Sequence, residues 1–173
     1  MKLFKGFVIA IAGLFIVVTL LSLLMPSTVL TARSVVIQSS SSKIMDQVKD
    51  FQNWKNWHPL FKHQKNIMIS ITSPGNKKCA EWESDNKKHS LIMTDTAQNY
   101  ARLIFQTCGE NDMLNKIELI NFKDSNNIQV EWSAVSQLKW YPWEKFSGIF
   151  IDKMSGPGYE AALNDLKYYV ENN

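Results

Sequence analysis

Residues 100–122 read YARLIFQTCGENDMLNKIELINF, and the way this stretch doubles back decides the architecture. Leu103 and Phe105 alternate with Arg102 and Gln106. That is the period-two pattern of a strand with one dry and one wet face. Gly109 to Asp112 carries turn residues. Beyond it Ile117 and Leu119 alternate with Lys116 and Glu118. Two half-polar strands joined by a short turn predict an antiparallel hairpin.

The same pattern continues in both directions. Upstream, Ile67, Ile69 and Ile71 alternate with Met68, Ser70 and Thr72, and the turn SPGN follows at 73–76. Cys79 to Ser84 reads as a strand carrying Trp82, the pair Asp85-Asn86 as a turn, and Lys88 to Thr96 as the next strand. Gln98-Asn99 turns into Tyr100. Downstream, KDSNN at 123–127 precedes a strand from Ile128 to Leu138, in which Ile128, Val130, Trp132 and Ala134 share one face. Six strands at regular spacing predict an antiparallel meander. A seventh comes earlier in the chain: RSVVIQ at 33–38 is rich in β-branched residues.

Helical patterns flank the strands. The serines from Ser39 to Ser42 supply an N-cap for a helix starting near Lys43. Ile44, Val48 and Phe51 fall at i, i+4 and i+7, and Trp54 and Trp57 continue that face until Pro59 stops it. This helix end lies in FQNWKNWHPLF, residues 51–61, a notable density of aromatic surface. At the C-terminus, Tyr159, Leu163, Leu166 and Val170 form a stripe on a helix over 157–171. Pro157 suits its first turn, with Ser155 or Gly156 as the cap. The intervening KWYPWEKFSGIFIDKM, residues 139–154, predicts a separate short helix over 143–152. The fold class is α+β.

Residues 7–25, FVIAIAGLFIVVTLLSLLM, carry no charge. As a helix this run spans ~28 Å, close to the ~30 Å hydrocarbon core of a bilayer. Pro26 ends it. A cleaved signal peptide calls for a shorter apolar run and a small-x-small site, whereas Leu30-Thr31-Ala32 opens on Leu. The expectation is one N-terminal transmembrane anchor over 1–26 and one domain over 27–173, with 27–32 as a tether. Lys2 and Lys5 precede the span and Arg33 is the first positive charge after it. The positive-inside rule then puts the N-terminus in the cytoplasm and the domain outside, on the periplasmic side in a bacterium.

Composition excludes other classes. The net charge is +3, and past Lys2 and Lys5 the chain holds 17 basic and 16 acidic residues. A nucleic-acid footprint needs a clustered basic face, so nucleic acid is not expected as a partner. Cys79 and Cys108 form no CxxC, and the meander places them at opposite ends of the sheet, which favours free thiols. His58 and His63 lie five apart without a carboxylate pattern, and His89, at a strand start, reads as solvated. Glu81 and Glu83 lie opposite Trp82, on the wet face of their strand. There is no GxSxG, Cys/His pair or phosphate-cradling glycine loop. No catalytic residue set, metal site or cofactor is expected.

Taken in order, these elements resemble the SRPBCC superfamily, in particular the polyketide cyclase/dehydrase and lipid-transport-like group related to START and Bet v 1 proteins. The residues that carry the resemblance are RSVVIQ (33–38), FQNWKNWHP (51–59), VEW (130–132), IDKM (151–154) and the closing GYEAALNDLKYYVE. A membrane span ahead of RSVVIQ is similar to a membrane-anchored bacterial subset of that family. The resemblance implies a helix-grip fold: a curved seven-stranded antiparallel sheet wrapped around a long C-terminal helix, with a cavity between them for apolar or amphipathic molecules. It implies no shared catalytic residues.

The expected pocket residues are Trp54, Trp57, Trp82, Trp132, Trp143, Phe150, Tyr159 and Leu163. Any single Trp among them is more readily explained as ordinary core, because aromatic side chains dominate cores generally, whereas the set together points to a shared apolar pocket that some of them line. The leading expectation is a membrane-anchored domain that binds a hydrophobic small molecule or lipid. The alternatives are a cyclase- or dehydratase-like enzyme using a polar pocket group such as His58 or Tyr159, and an envelope protein-interaction module with an exposed apolar patch.

Overall fold

A computed structural model of the chain describes residues 2–63, 66–72, 77–122 and 127–173. The predicted turn at 73–76 and residues 123–126 of the turn after Phe122 lie outside the described residues. Helix α1 (Lys2–Leu23) leads, after only residues 24–27, into strand β1 (Thr28–Gln38). Three short helices follow: α2 (Ser41–Val48), α3 (Phe51–Trp57) and α4 (Pro59–His63). The meander is β2 (Met68–Thr72), β3 (Lys77–Ser84), β4 (Lys87–Thr96), β5 (Tyr100–Thr107), β6 (Met113–Asn121) and β7 (Asn127–Gln137). Helix α5 (Pro142–Asn172) closes the chain.

The seven strands form one antiparallel sheet in the order β1-β7-β6-β5-β4-β3-β2. Consecutive strands of the meander pair with each other, and β1 crosses over to lie beside β7, with Val35 opposite Val130. The turn between β3 and β4 is tight: Asp85 and Asn86 both take positive φ, 52° and 59°. Both are residue types that tolerate the left-handed region, and such a turn matches the twist of the flanking strands. A register shift between Met93 and Asp95 breaks the ladder of β4. Bulges of this kind bend a strand and add local twist. The concave face buries Leu103, Ile117, Val130 and Trp132, with Leu163, Leu166 and Val170 of α5 over it.

Three local expectations are corrected. First, the predicted tether over 27–32 is strand from Thr28 onward. β7 runs to Gln137, and its last residues pair with Thr28 and Val29, so the extra length is set by the partner.

Second, the helix expected to run from Lys43 to Pro59 is divided. Ser40 caps α2, its hydroxyl accepting from the Lys43 N–H at 3.4 Å. Asp50 caps α3, its carboxylate accepting from the Gln52 N–H at 3.0 Å. An N-cap residue takes extended backbone angles, so Asp50 interrupts the helix where it caps the next one. Pro59 begins α4 rather than ending structure, in keeping with the missing N–H that suits a first turn.

Third, the two C-terminal helices are one, α5, with Pro157 inside it. Pro157 is exposed, as is Lys153, whose carbonyl loses its intrahelical partner. That carbonyl faces the wet side, where water can satisfy it. The residue before a proline is crowded in the helical region, and here it is Gly156, which has no Cβ to crowd.

The first part of α5 lies close against β1 because its inner face is small. A Cβ on Gly148 would overlap Leu138, and one on Gly156 would overlap the Arg33 guanidinium. Arg33 of β1 makes a two-pronged ion pair with Asp152 of α5, Nη1–Oδ1 at 3.0 Å and Nη2–Oδ2 at 3.1 Å. The Arg33 hydrogen bond holds the Asp152 carboxyl below its ordinary value. The pair joins RSVVIQ to IDKM, two stretches far apart in sequence. Cys79 is buried, Cys108 is exposed, and both are free thiols.

Candidate functional site

A cleft of about 620 Å³ opens between the concave face of the sheet, the α3–α4 corner and the middle of α5. Trp82, Leu91, Phe105 and Trp132 supply the sheet wall. Trp54, His58 and Leu60 form the second wall, and Ser155, Gly158 and Tyr159 the third. The lining is mainly aromatic and aliphatic.

The expected pocket residues divide into three groups. Trp54, Trp82, Trp132 and Tyr159 line the cleft. Trp57 and Leu163 are buried in the core and do not line it. Trp143 and Phe150 point outward, 64% and 56% exposed, and take no part in it.

The indole N–H groups account for the core character of α3. The Trp54 Nε1–H donates to the Val48 carbonyl at 2.9 Å, and the Trp57 Nε1–H to the Gln47 carbonyl at 3.4 Å. Both acceptors lie in the last turn of α2, where carbonyls lack intrahelical partners. The same two indoles therefore finish α2 and fill the core. Phe61 is buried against Phe51 and Trp54.

A hydrogen-bonded polar spot stands among the aromatic side chains of the wall. Asn115 Oδ1 accepts from the Trp132 Nε1–H and from the Tyr159 hydroxyl, each at 3.1 Å. The Asn115 amide donates to the Met113 carbonyl at 3.1 Å, which fixes its orientation. Burial pushes the Tyr159 phenol up to about 12, so it stays protonated at any physiological pH. Its oxygen retains lone pairs that a ligand's donor can use.

His58 lies in an aromatic box. Its ring stacks on Trp54 at 4.9 Å and sits 5.6 Å from both Phe61 and Trp132. Burial pushes its pKa down to about 3, so it is neutral near pH 7. Nδ1 accepts from the Leu60 N–H at 3.2 Å, which leaves the proton on Nε2.

His89 is a residue that sequence reasoning misplaced. It lines the cleft, stacked between Trp82 at 5.6 Å and Phe105 at 5.9 Å. Its Nδ1 lies 3.1 Å from the Thr107 hydroxyl. The register pairs it directly with Trp82 across β3 and β4, and it shares the face of Leu91 and Met93. Position at the start of a strand does not expose a residue whose face is inward. Asn115 carried a similar signal, a polar residue in step with Ile117 and Leu119 on the dry face.

A broader depression of about 1030 Å³ adjoins the cleft over the ends of β2 to β5 and shares Trp82 and His89 with it. Glu81, Glu83, Lys88 and Asp112 also line it. Its charged rim makes it a wet approach rather than an apolar hold. Among the described residues, no three His, Cys, Asp or Glu side chains are grouped to hold a metal ion.

No protein-family model matches the chain, and no curated protein matches it by sequence. Solved structures do. A START superfamily protein from Mycobacterium smegmatis superposes with a TM-score of 0.62 at 16% identity, over 82% of this chain and 97% of that one. The Zhui aromatase/cyclase of a Streptomyces species gives a TM-score of 0.62 at 10% identity, over 83% of this chain and 94% of that one. The di-domain aromatase/cyclase StfQ of the steffimycin pathway gives 0.64 at 6% identity, over 83% of this chain and 51% of that one. At such identities the likeness speaks for the fold. With its seven antiparallel strands around a long C-terminal helix, this chain has the START-like helix-grip fold of the SRPBCC proteins, the fold that polyketide aromatase/cyclases also carry.

Proposed function

We propose that residues 27–173 form a binding domain for a hydrophobic small molecule or lipid, held at a membrane by residues 1–26. The observation that carries this reading is the cleft of about 620 Å³ between sheet and α5, within the size range of small-molecule sites. Its aromatic walls suit an apolar body. Tyr159, beside Asn115 and Trp132, offers lone pairs to a polar group, so the fitting ligand is amphipathic, with a donor such as a hydroxyl or an amide N–H. The START-like fold supports the same reading.

Phe4–Leu23 of α1 is long and apolar enough to cross a bilayer, with a mean hydropathy of 2.7. Lys2 and Lys5 ahead of it support a cytoplasmic N-terminus and a domain on the far side, the periplasmic one in a bacterium. A ligand that partitions into lipid is concentrated where such an anchor holds the domain.

The enzyme reading draws on the fold shared with aromatase/cyclases and on polar groups in the cleft. For His58 and Tyr159, protonation favours binding over proton transfer. His58 Nδ1 is occupied by the Leu60 N–H and Nε2 already carries a proton, so the ring has no free lone pair to act as a base. Tyr159 at about 12 holds its proton too firmly for acid–base exchange near neutrality.

The test is native mass spectrometry of the full chain released from lipid nanodiscs, with extraction of any bound apolar species. It is paired with titration of an NBD-labelled long-chain alcohol. We expect a co-purifying amphipath and saturable probe binding that weakens about 2- to 12-fold in Tyr159→Phe, which removes the hydroxyl oxygen the ligand's donor would meet. An empty chain with no saturable probe binding overturns the reading.

A further inference from the structure

The first half of α5 is apolar on the side that none of the described residues covers. At 3.6 residues per turn, Trp143, Phe146, Phe150 and Met154 fall along one stripe, with Ile149 at its edge. All five are exposed. The opposite side of the same turns carries Lys145, Gly148 and Gly156, which are buried, and Asp152, which is paired with Arg33. The outward stripe holds no acidic residue, and the exposed Lys139 and Lys153 flank it. A soluble domain seldom leaves a Trp-, Phe- and Met-rich helix face bare.

The position of this face relative to α1 says what covers it. Only residues 24–27 separate α1 from β1, so the domain has little slack to move away from the end of the span. The buried Lys145 ammonium reaches back across that connection, donating to the Ser27 hydroxyl and to the Met25 carbonyl at 3.4 Å. Helix α1 packs against α5. Among the described residues of α1, those that lose exposure are Val18, Thr19 and Ser22, which lie within the apolar span and not beyond its end. A helix that meets the span at those residues stands at the depth of its final turn or two.

We propose that Trp140 and the exposed face of α5 from Trp143 to Met154 lie in the lipid headgroup and acyl boundary of the bilayer that α1 crosses. This rests on the reading of α1 as a membrane span. Trp and Tyr rings favour that depth, and flanking lysines reach anionic headgroups. The stripe runs from the anchor to Met154, next to Ser155, which lines the cleft. The mouth of the cleft therefore opens beside the lipid surface, and an amphipathic ligand enters along α5 without crossing bulk water.

The tryptophans make this testable. All six lie outside α1; Trp54, Trp57, Trp82 and Trp132 are buried, and Trp140 and Trp143 are exposed. The full chain is reconstituted in phosphatidylcholine–phosphatidylglycerol vesicles with or without brominated phosphatidylcholine. Co-flotation after an alkaline wash reports insertion of α1, and quenching of Trp emission reports contact of the domain with lipid. We expect flotation together with quenching that drops to background in the double variant W140F/W143F. A second variant, Phe150→Glu, is expected to reduce quenching by lifting the face while near-native far-UV ellipticity is kept. Flotation without quenching overturns the inference and leaves the anchor standing. Quenching unchanged in W140F/W143F also overturns it. A discrete dimer that Phe150→Glu splits, seen with no quenching, overturns it in favour of a second copy as the cover. Failure to float removes the anchor and the inference with it, and leaves ligand binding to be judged by its own titration.

Discussion

Two stretches of this chain carry nearly the same aromatic density and meet opposite fates. In 51–61, Phe51, Trp54 and Trp57 are wholly buried and Phe61 nearly so. In 140–150, Trp140, Trp143, Phe146 and Phe150 are all exposed. The difference lies in what each backbone rests against. Helix α3 is short and sits over the concave sheet beside α5, so its aromatic face has partners on several sides. The first half of α5 rests mainly on β1 and the end of α1, and the small residues Gly148 and Gly156 are part of its inner face. Close approach through glycine leaves the large side chains outside. Aromatic content indicates that a surface must be covered; it does not say whether protein or lipid does the covering.

Substituting one residue in each stretch is the largest test of that contrast. Trp54→Ala removes a fully buried indole and its hydrogen bond to Val48, and should destabilise the fold by about 3–5 kcal/mol. Denaturant unfolding of the full chain in detergent micelles measures it. A loss below ~1 kcal/mol would mean that the 51–61 cluster is not core.

The next largest effect probes the glycine seam. Gly148→Leu forces a side chain into the space held by Leu138, with Val29 beside it, and should cost about 1–3 kcal/mol by overpacking. The same unfolding measurement applies. No change would show that α5 can stand off from β1 without penalty.

A pH series sharpens the picture of the buried stretch. His58 has a pKa of about 3 when folded, against an ordinary value near ~6.5 in the unfolded chain. Between those values the unfolded chain takes up a proton that the folded one refuses, so stability falls as pH falls. The full contribution is present above ~6.5, and the slope below it reaches about 1.4 kcal/mol per pH unit. Comparing pH 6.5 with pH 5 keeps most carboxylates ionised. His58→Phe should flatten this window, and an unchanged slope would place the histidine in water.

The smallest effect belongs to the exposed stretch. Trp143→Ala, at a residue 64% exposed, should change stability in micelles by no more than about 0.5 kcal/mol. A loss comparable to that of Trp54→Ala would erase the contrast between the two regions.

Much of the fold was legible in period and punctuation. The alternation in 100–122, the turn at Asp85-Asn86 and the stripe Tyr159, Leu163, Leu166, Val170 each report which side of an element is dry, a local property. The break at Asp50 was legible in principle, since Asp is a strong N-cap, but an unbroken apolar face across Val48 and Phe51 masked it. Pro157 misled for the opposite reason: proline usually marks a helix start, and here a preceding glycine and an exposed lost hydrogen bond allow the helix to run through. His89 and Asn115 stood in step with apolar neighbours, so their inward orientation was readable from the strand period.

By itself, then, the sequence determined the order of the elements, their dry faces, the antiparallel meander and the apolar N-terminal helix, because periodicity and turn chemistry act between neighbours along the chain. Only the tertiary structure decided which aromatics line the cleft, which fill the core and which face outward. It alone joined Arg33 to Asp152 and gathered Asn115, Trp132 and Tyr159 into one polar spot. The reason is that a strand or helix defines a face, whereas what lies across from that face depends on residues a hundred positions away and on how closely two backbones can approach.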